Sequence, residues 1–452
     1  MLKKTALNIK LFIALLRRLL LKPLGKFVLI PTLMAIIGIV VVGRITDWWK
    51  SPDSYYIYLV GDHVNNSAIA EIFKGFRDEK ACDRGDVTLR EEGIDGVSAI
   101  MVKGVPIKVK CVDDQGDLAE VRRISADLAQ RNDTLMVIGH AYSTSSKEAL
   151  PNYLLQAQPA IPVILTTETN PHLIPSKNSD GDYRPVFRLW PTDDEQATKF
   201  AQFVLDNRNQ ANGSQVFWVV EDEQNPTYSK YLALEFIKKV QENKGQVVLW
   251  STNMSVPPGE TLNQLKINSV FFAGDWQNAL ILIRQIKRIF PPNKLPTILL
   301  SDQAVDSQLL TYGTNELKEL NVYLAHPLKA AQFKDSGFRL IGEDARMIID
   351  MLLEDAHQHF AEESKARSRF KYWSMLLLNR RVVEDARAVL KSRMEKKAAT
   401  DRLFKGTLGK YQFSYYGKNM AAQWHIWQVK QAKKGDKDLQ FVDVDQLTKP
   451  GQ

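Results

Sequence analysis

The sequence predicts an α/β protein built from two doubly wound parallel sheets, and three observations predict it. Short apolar runs of strand length end in polar loops, helical stretches follow those loops, and the strand–loop–helix unit recurs in two series along the 452 residues. The first series opens at 55–60 with Tyr-Tyr-Ile-Tyr-Leu-Val, an apolar run of the kind expected for a strand buried on both faces. A polar loop over 61–67 and a helix through Lys80 come next, then an alternating strand over 105–112 and a helix over 118–131. Strands at 135–138 and 162–165 flank a helical stretch that runs through Leu155. The segment 172–188, with Pro175, Asn178, Asp180, Gly181 and Asp182, reads as an inserted loop.

A second series starts after Trp190-Pro191, with strands at 216–220, 246–250, 269–273, 297–300 and 321–325 and helices at 229–241 and 277–289. Helices at 343–360 and 381–396 lead to a β-like end over 404–409, 411–414 and 423–429, with a turn at 417–419. The like charges at 391–397 read as a solvated helix end.

The net charge of +8 would suggest nucleic acid until it is located. Residues 1–46 carry Lys3, Lys4, Lys10, Arg17, Arg18, Lys22, Lys26 and Arg44 and no acid, and removing these eight from the 60 Lys and Arg leaves 52 against 52 Asp and Glu. The rest of the chain is formally neutral, so nucleic acid is excluded as a partner. Phe27 to Gly43 is an apolar run that extends through Ile45, with seven positive charges before it and Trp48-Trp49 after it. The expectation is a single membrane-spanning helix with its N-terminus cytoplasmic and the bulk of the chain on the periplasmic side of the inner membrane. A cleaved signal peptide has the same basic-then-apolar order, but no small-x-small site follows. Residues 9–21 are interrupted by Arg17-Arg18 and suit a helix lying on the inner membrane surface. Cys82 and Cys111 are the only thiols; export would permit a bridge between them, while their spacing does not place their Cα atoms within reach.

The chemistry-bearing residues are small and hydroxylated. One strand runs into Gly139-His-Ala-Tyr-Ser-Thr-Ser-Ser146 at the start of a helix, the next into Thr166-Thr-Glu-Thr-Asn-Pro171. In a parallel sheet both loops lie at the carboxyl edge, where ligands bind. Hydroxyls beside the unpaired N–H groups of a helix start suit a carboxylate. Ser, Thr and Asn also cap helices and form turns, and Asp275 could equally cap the helix that follows it. No G-x-S-x-G, H-E-x-x-H or Gly-rich phosphate loop occurs, so no catalytic residue, metal or cofactor is expected, and His63 and His140 read as loop or packed histidines. Asp113 and Asp114 are neighbours on a strand and point to opposite faces.

Gly75, Cys111-Val-Asp-Asp114, Val137-Ile-Gly-His-Ala-Tyr-Ser-Thr-Ser-Ser146, Thr169-Asn-Pro171, Phe187-Arg-Leu189 and Phe404-x-Gly-x-x-Gly409 occur in an order that resembles the type I periplasmic binding proteins, specifically the branched-chain amino acid receptors. The resemblance spans roughly Tyr55 to Val429. It implies two lobes joined by three crossover strands, preceded here by the membrane helix. Lobe 1 would comprise 54–190 and 329–403, lobe 2 would comprise 191–328 and 404–440, and 1–26, 27–45, 46–53 and 441–452 would be the basic segment, anchor, linker and tail. It also implies that Ser143, Thr167 (by its backbone) and Thr169 hold the carboxylate and ammonium of a ligand, that Asp302 faces the ammonium, and that Tyr228 closes over it. Tyr142 stands where many relatives have a disulfide cysteine, and Asp275, beside Trp276, stands where they have an aromatic residue. The implied function is capture of an amino acid or similar small polar ligand for uptake through an ABC-type permease. A sensory or regulatory ectodomain of the same fold, acting on a membrane partner, is the alternative.

Overall fold

The computed structural model of the protein describes residues 54–76, 87–88, 101–102, 105–157, 160–174, 185–206, 216–223, 225–252, 256–333 and 337–367, and beyond these 387, 390–392, 394, 404–405, 410–411, 413, 418–419, 421–432 and 438–444. The apolar run at 27–45 and most of the 381–396 helix therefore lie outside the described residues. No helix among the described residues is long and apolar enough to cross a membrane. Met1–Pro52 with Ala366–Val382 form one unit, of which only the helical Ala366 and Arg367 are described. Asp53–Lys365 with Val383–Gln452 form the other, and everything below concerns it.

The strands are β1 (Tyr55–Val60), β2 (Val87–Thr88), β3 (Met101–Val102), β4 (Val105–Val112), β5 (Thr134–Gly139), β6 (Val163–Leu165), β7 (Val186–Arg188), β8 (Val216–Glu221), β9 (Gln246–Ser251), β10 (Ser269–Ala273), β11 (Thr297–Leu300), β12 (Val322–His326), β13 (Phe404–Lys405), β14 (Lys410–Tyr411), β15 (His425–Gln431) and β16 (Leu439–Asp443). The helices used here are α1 (Ser67–Phe76), α2 (Leu118–Gln130), α3 (Ser143–Pro151), α4 (Asp193–Asp206), α5 (Pro226–Glu242), α6 (Trp276–Ile289) and α7 (Gly337–Arg367).

The first sheet runs β2-β4-β1-β5-β6-β7 and the second β16-β15-β12-β11-β10-β8-β9. Within each, five parallel strands taken in chain order lie 2-1-3-4-5: β4-β1-β5-β6-β7 in the first and β9-β8-β10-β11-β12 in the second. The two series read from the sequence are therefore two copies of one doubly wound plan. Each has a switch point, between β1 and β5 and between β8 and β10, where successive connections leave on opposite faces and a crevice opens at the carboxyl ends. The segment predicted as a loop over 172–188 instead ends in β7, which pairs in parallel with β6 from Val163↔Val186 to Leu165↔Arg188.

Alternation of buried residues explains the layers. Trp218 and Val220 of β8 enter the core on one face of the second sheet, against α6, while Phe217 and Val219 enter the other, against α4 and α5. The first sheet packs Tyr58, Val60, Val137 and Val163 against Val121, Ile124 and Leu128 of α2 and Ala149 and Leu150 of α3. Asp117 starts α2 by accepting the N–H groups of Ala119 and Glu120 at 2.8 and 2.9 Å. Cys111 on β4 is disulfide-bonded; the chain has one other cysteine, Cys82, outside the described residues.

Two glycines set how α1 and α7 meet. A Cβ on Gly75 would lie 1.7 Å from the Arg339 carbonyl oxygen, and one on Gly342 would lie 1.9 Å from that of Ile72, so backbone touches backbone where the helices cross. The connections between the two sheets are tied to each other by aromatic residues. Trp190, after β7, meets His326 at the end of β12 edge-on at 5.2 Å, and His326 packs on Trp427 of β15 at 4.5 Å. The Trp424 indole N–H donates to the Thr192 carbonyl at 3.0 Å, and Asn419 Nδ2 donates to that of Leu189 at 2.8 Å.

Candidate functional site

The two switch points face one cavity of about 670 Å³, within the roughly 300–1,000 Å³ usual for small-molecule sites. The structure brings together at this cavity every residue expected at a ligand site. Tyr142, Ser143, Thr167 and Thr169 line it from the first sheet, and Tyr228, Asp275, Trp276 and Asp302 from the second.

The wall from the first sheet is rich in hydrogen-bond donors. Tyr142 precedes α3 and provides no side-chain cap, which leaves the first N–H groups of the helix, beside Ser143, Thr144 and Ser145, facing the lining. The Ser143 hydroxyl accepts the Asn170 N–H at 3.4 Å, and Thr169 is 1% exposed with its carbonyl taking the Asp193 N–H at 3.0 Å. Thr167 has no spare donor: its N–H goes to Glu168 at 2.9 Å and its hydroxyl to the Ala141 carbonyl at 2.8 Å. Glu168, missed in the sequence, is the post behind this wall. It also accepts the Ala141 N–H at 3.1 Å and the Ser146 hydroxyl at 2.7 Å, and so fastens the loop after β5 to the loop after β6. His140 is a packed histidine as expected, with Nδ1 2.8 Å from Asp114 Oδ2 and Nε2 2.8 Å from the Tyr153 hydroxyl. Asp113, its neighbour's opposite, turns to the Gln115 N–H instead. The Tyr142 hydroxyl accepts from Asn66 Nδ2, and burial pushes its pKa up to about 12.

The wall from the second sheet is acidic. Asp302, just past β11, is 7% exposed, and its Oδ1 accepts both the Tyr228 hydroxyl and Gln196 Nε2, the latter at 2.7 Å. Burial raises its pKa to about 6, and the same two hydrogen bonds restrain the rise. Asp193, at the start of α4, is fully buried; burial and then the charge of Asp302 push its carboxyl well above the usual range, against the Thr169 hydroxyl and the Arg188 guanidinium. Asp275 caps α6 through the Asn278 N–H at 2.8 Å, the role considered against ligand contact, and it also lines the cavity. Burial, then the charge of Asp222, raises its pKa. Trp276 stacks on Tyr312 with ring centroids 5.8 Å apart.

The walls also touch each other directly. The Thr144 hydroxyl donates to Asn225 Oδ1, Asn170 Nδ2 donates to the Thr227 carbonyl at 2.6 Å, and His172 meets Tyr231 edge-on at 4.9 Å. Asn225-Pro226 opens α5 earlier than the start expected at 229, and the reach of Asn225 to Thr144 spans 81 residues and leaves no local signal.

Solved structures share this fold. A leucine binding protein from Thermotoga maritima matches with a TM-score of 0.60 at 16% identity, covering 87% of this chain and 99% of its own. An ABC transporter substrate-binding protein from Desulfitobacterium hafniense in complex with Leu matches at 0.56 and 14%, covering 86% and 100%. A solute binding protein of an ABC transporter from Rhodopseudomonas palustris BisB5, in complex with 3,4-dihydroxybenzoic acid, matches at 0.57 and 14%, covering 86% and 96%. No family model and no curated protein matches the sequence. The chain thus has the fold of the type I periplasmic binding proteins, as its motifs suggested.

Proposed function

We propose that this protein is an extracytoplasmic solute-binding protein that captures an amino acid or similar small polar ligand between its two sheets and delivers it to an ABC-type permease. The observation that carries the reading is the pairing of a hydroxyl and N–H wall with a carboxylate wall across one cavity, Ser143 and Thr169 opposite Asp302 and Tyr228. A zwitterion taken out of water needs donors for its carboxylate and an acceptor for its ammonium at once. Ligand bridging both walls stabilises the arrangement in which they meet, so binding and closure are one equilibrium. The basic residues before the apolar run at 27–45, with Trp48-Trp49 after it, support tethering to the inner membrane by a single N-terminal helix.

Calorimetric titration of the full chain in detergent with amino acids, amides and small polyamines tests this, together with mass spectrometry of any small molecule that co-purifies. Binding of at least one of them is expected, weakened about tenfold or more by Thr169→Ala and by Asp302→Ala. If nothing binds and nothing co-purifies, the proposal fails; if a ligand binds and both variants bind it as well as the wild type, the site is misassigned.

A further inference from the structure

The charge around the cavity is one-sided. Asp62 lines it from the first sheet and Glu223, Asp275, Asp302 and Asp306 from the second, while no Lys, Arg or His among the described residues lines it. A neutral zwitterion would use Asp302 for its ammonium and leave the other acids of this confined space without a counter-charge. Coulomb repulsion between like charges in such a space is costly, and a bound cation removes it.

Two of these acids line the cavity from opposite walls, with Tyr142 in the same lining. Asp62 lies in the loop after β1 and Asp275 in the loop after β10, and the charges of both reach the buried Tyr142 hydroxyl. Neither acid has a cationic partner among the described residues: Asp62 accepts from the backbone and side chain of Asn65 at 3.1 and 2.9 Å, and Asp275 from Asn278. Trp276, next to Asp275 in the chain, lines the same cavity, and its indole is of the kind that attracts ammonium and guanidinium groups.

The geometry points to a ligand of net positive charge: a zwitterionic head held between Ser143, Thr169 and Asp302, and a second ammonium or guanidinium held at Tyr142 between Asp62 and Asp275. This inference rests on the solute-binding reading and narrows it to basic amino acids and their analogues. The second cation draws a carboxylate from each wall onto itself, so it recognises the ligand and closes the cleft in the same contact.

The test compares L-lysine, L-ornithine and L-arginine with L-norleucine, which matches lysine without its terminal ammonium, by calorimetry on the full chain in detergent. At least one cationic ligand binds about tenfold or more tightly than norleucine, as one desolvated charge pair implies. Asp62→Asn and Asp275→Asn, which keep the carbonyl oxygen that caps the local backbone, each reduce that ratio to about threefold or less. The preference also weakens with added salt. If norleucine or leucine binds as tightly as every cationic ligand, the charge assignment is overturned while the solute-binding reading stands. If the cationic preference survives both substitutions, the second subsite is overturned; if no amino acid binds, both readings fall.

Discussion

Glu168 offers the sharpest test of how the donor wall is held. Its carboxylate is 1% exposed and accepts three donors, the Ala141 N–H, the Ser146 hydroxyl and the Thr167 N–H, at 3.1, 2.7 and 2.9 Å. Glu168→Leu keeps the volume and strands all three. At about 1–3 kcal/mol for each buried unsatisfied group, the cost is on the order of 5 kcal/mol. Glu168→Gln is milder: its carbonyl oxygen still takes Ala141 and Ser146, and only the amide nitrogen meets the Thr167 N–H donor to donor, for about 2 kcal/mol. Urea unfolding followed by near-ultraviolet circular dichroism reads the two costs from the first transition, since two lobes need not unfold together. The loops after β5 and β6 come apart in the Leu variant, while the Gln variant keeps them joined and disturbs only the turn at Thr167, so ligand affinity falls in the same order. A Leu variant within about 0.5 kcal/mol of the wild type, or a Gln variant as damaged as the Leu one, refutes the account.

Acidity acts on the cleft through Asp302. Its folded pKa, about 6, stands above the usual 3.8, so the folded protein holds this proton more tightly than the unfolded chain. The resulting cost to stability is absent below about pH 4 and complete above about pH 6, where it amounts to about 3 kcal/mol. Asp302→Asn, which keeps an oxygen for Tyr228 and Gln196, is therefore expected to raise the melting temperature at pH 7.5 and leave it unchanged at pH 4; equal effects at both pH values contradict this. The same titration makes an ammonium-bearing ligand bind progressively more weakly below pH 6, by up to about tenfold per unit, read by calorimetry across pH 4.5–7.5. Asn225→Ala removes the acceptor of the Thr144 hydroxyl across the cleft and costs about 1 kcal/mol of closure, so affinity falls about fivefold with thermal stability nearly unchanged. Small-angle scattering showing the same ligand-dependent compaction in this variant at unchanged affinity would exclude a role for that contact.

Most of the scaffold was legible because its strands are continuous apolar runs bounded by polar turns: β1, β8 and β10 stand out by composition alone. β7 was hidden for the converse reason, since three residues at the end of a long polar stretch carry no period, and only pairing with β6 makes them a strand. In the cleft, the hydroxyl turns were visible because small oxygen-bearing residues clustered at two strand ends. Glu168 and Gln196 were not, because what they do is set by partners 22 and 106 residues away. Asp275 shows a limit of another kind: capping and ligand contact were weighed as rivals, yet a capping carboxylate can also stand in the cavity wall, so capping does not argue against contact.

The joint between the halves carries a further consequence. His326 is enclosed by Trp190, Trp427 and Phe333, and burial drives its pKa down to about 3, so its ring stays uncharged through the range in which Asp302 titrates. Acidification would then neutralise Asp302 in the cavity wall and leave this joint uncharged. On the proposed solute-capture reading, surroundings that turn mildly acid would loosen the hold on cargo while the packing that couples the two sheets stays as it was.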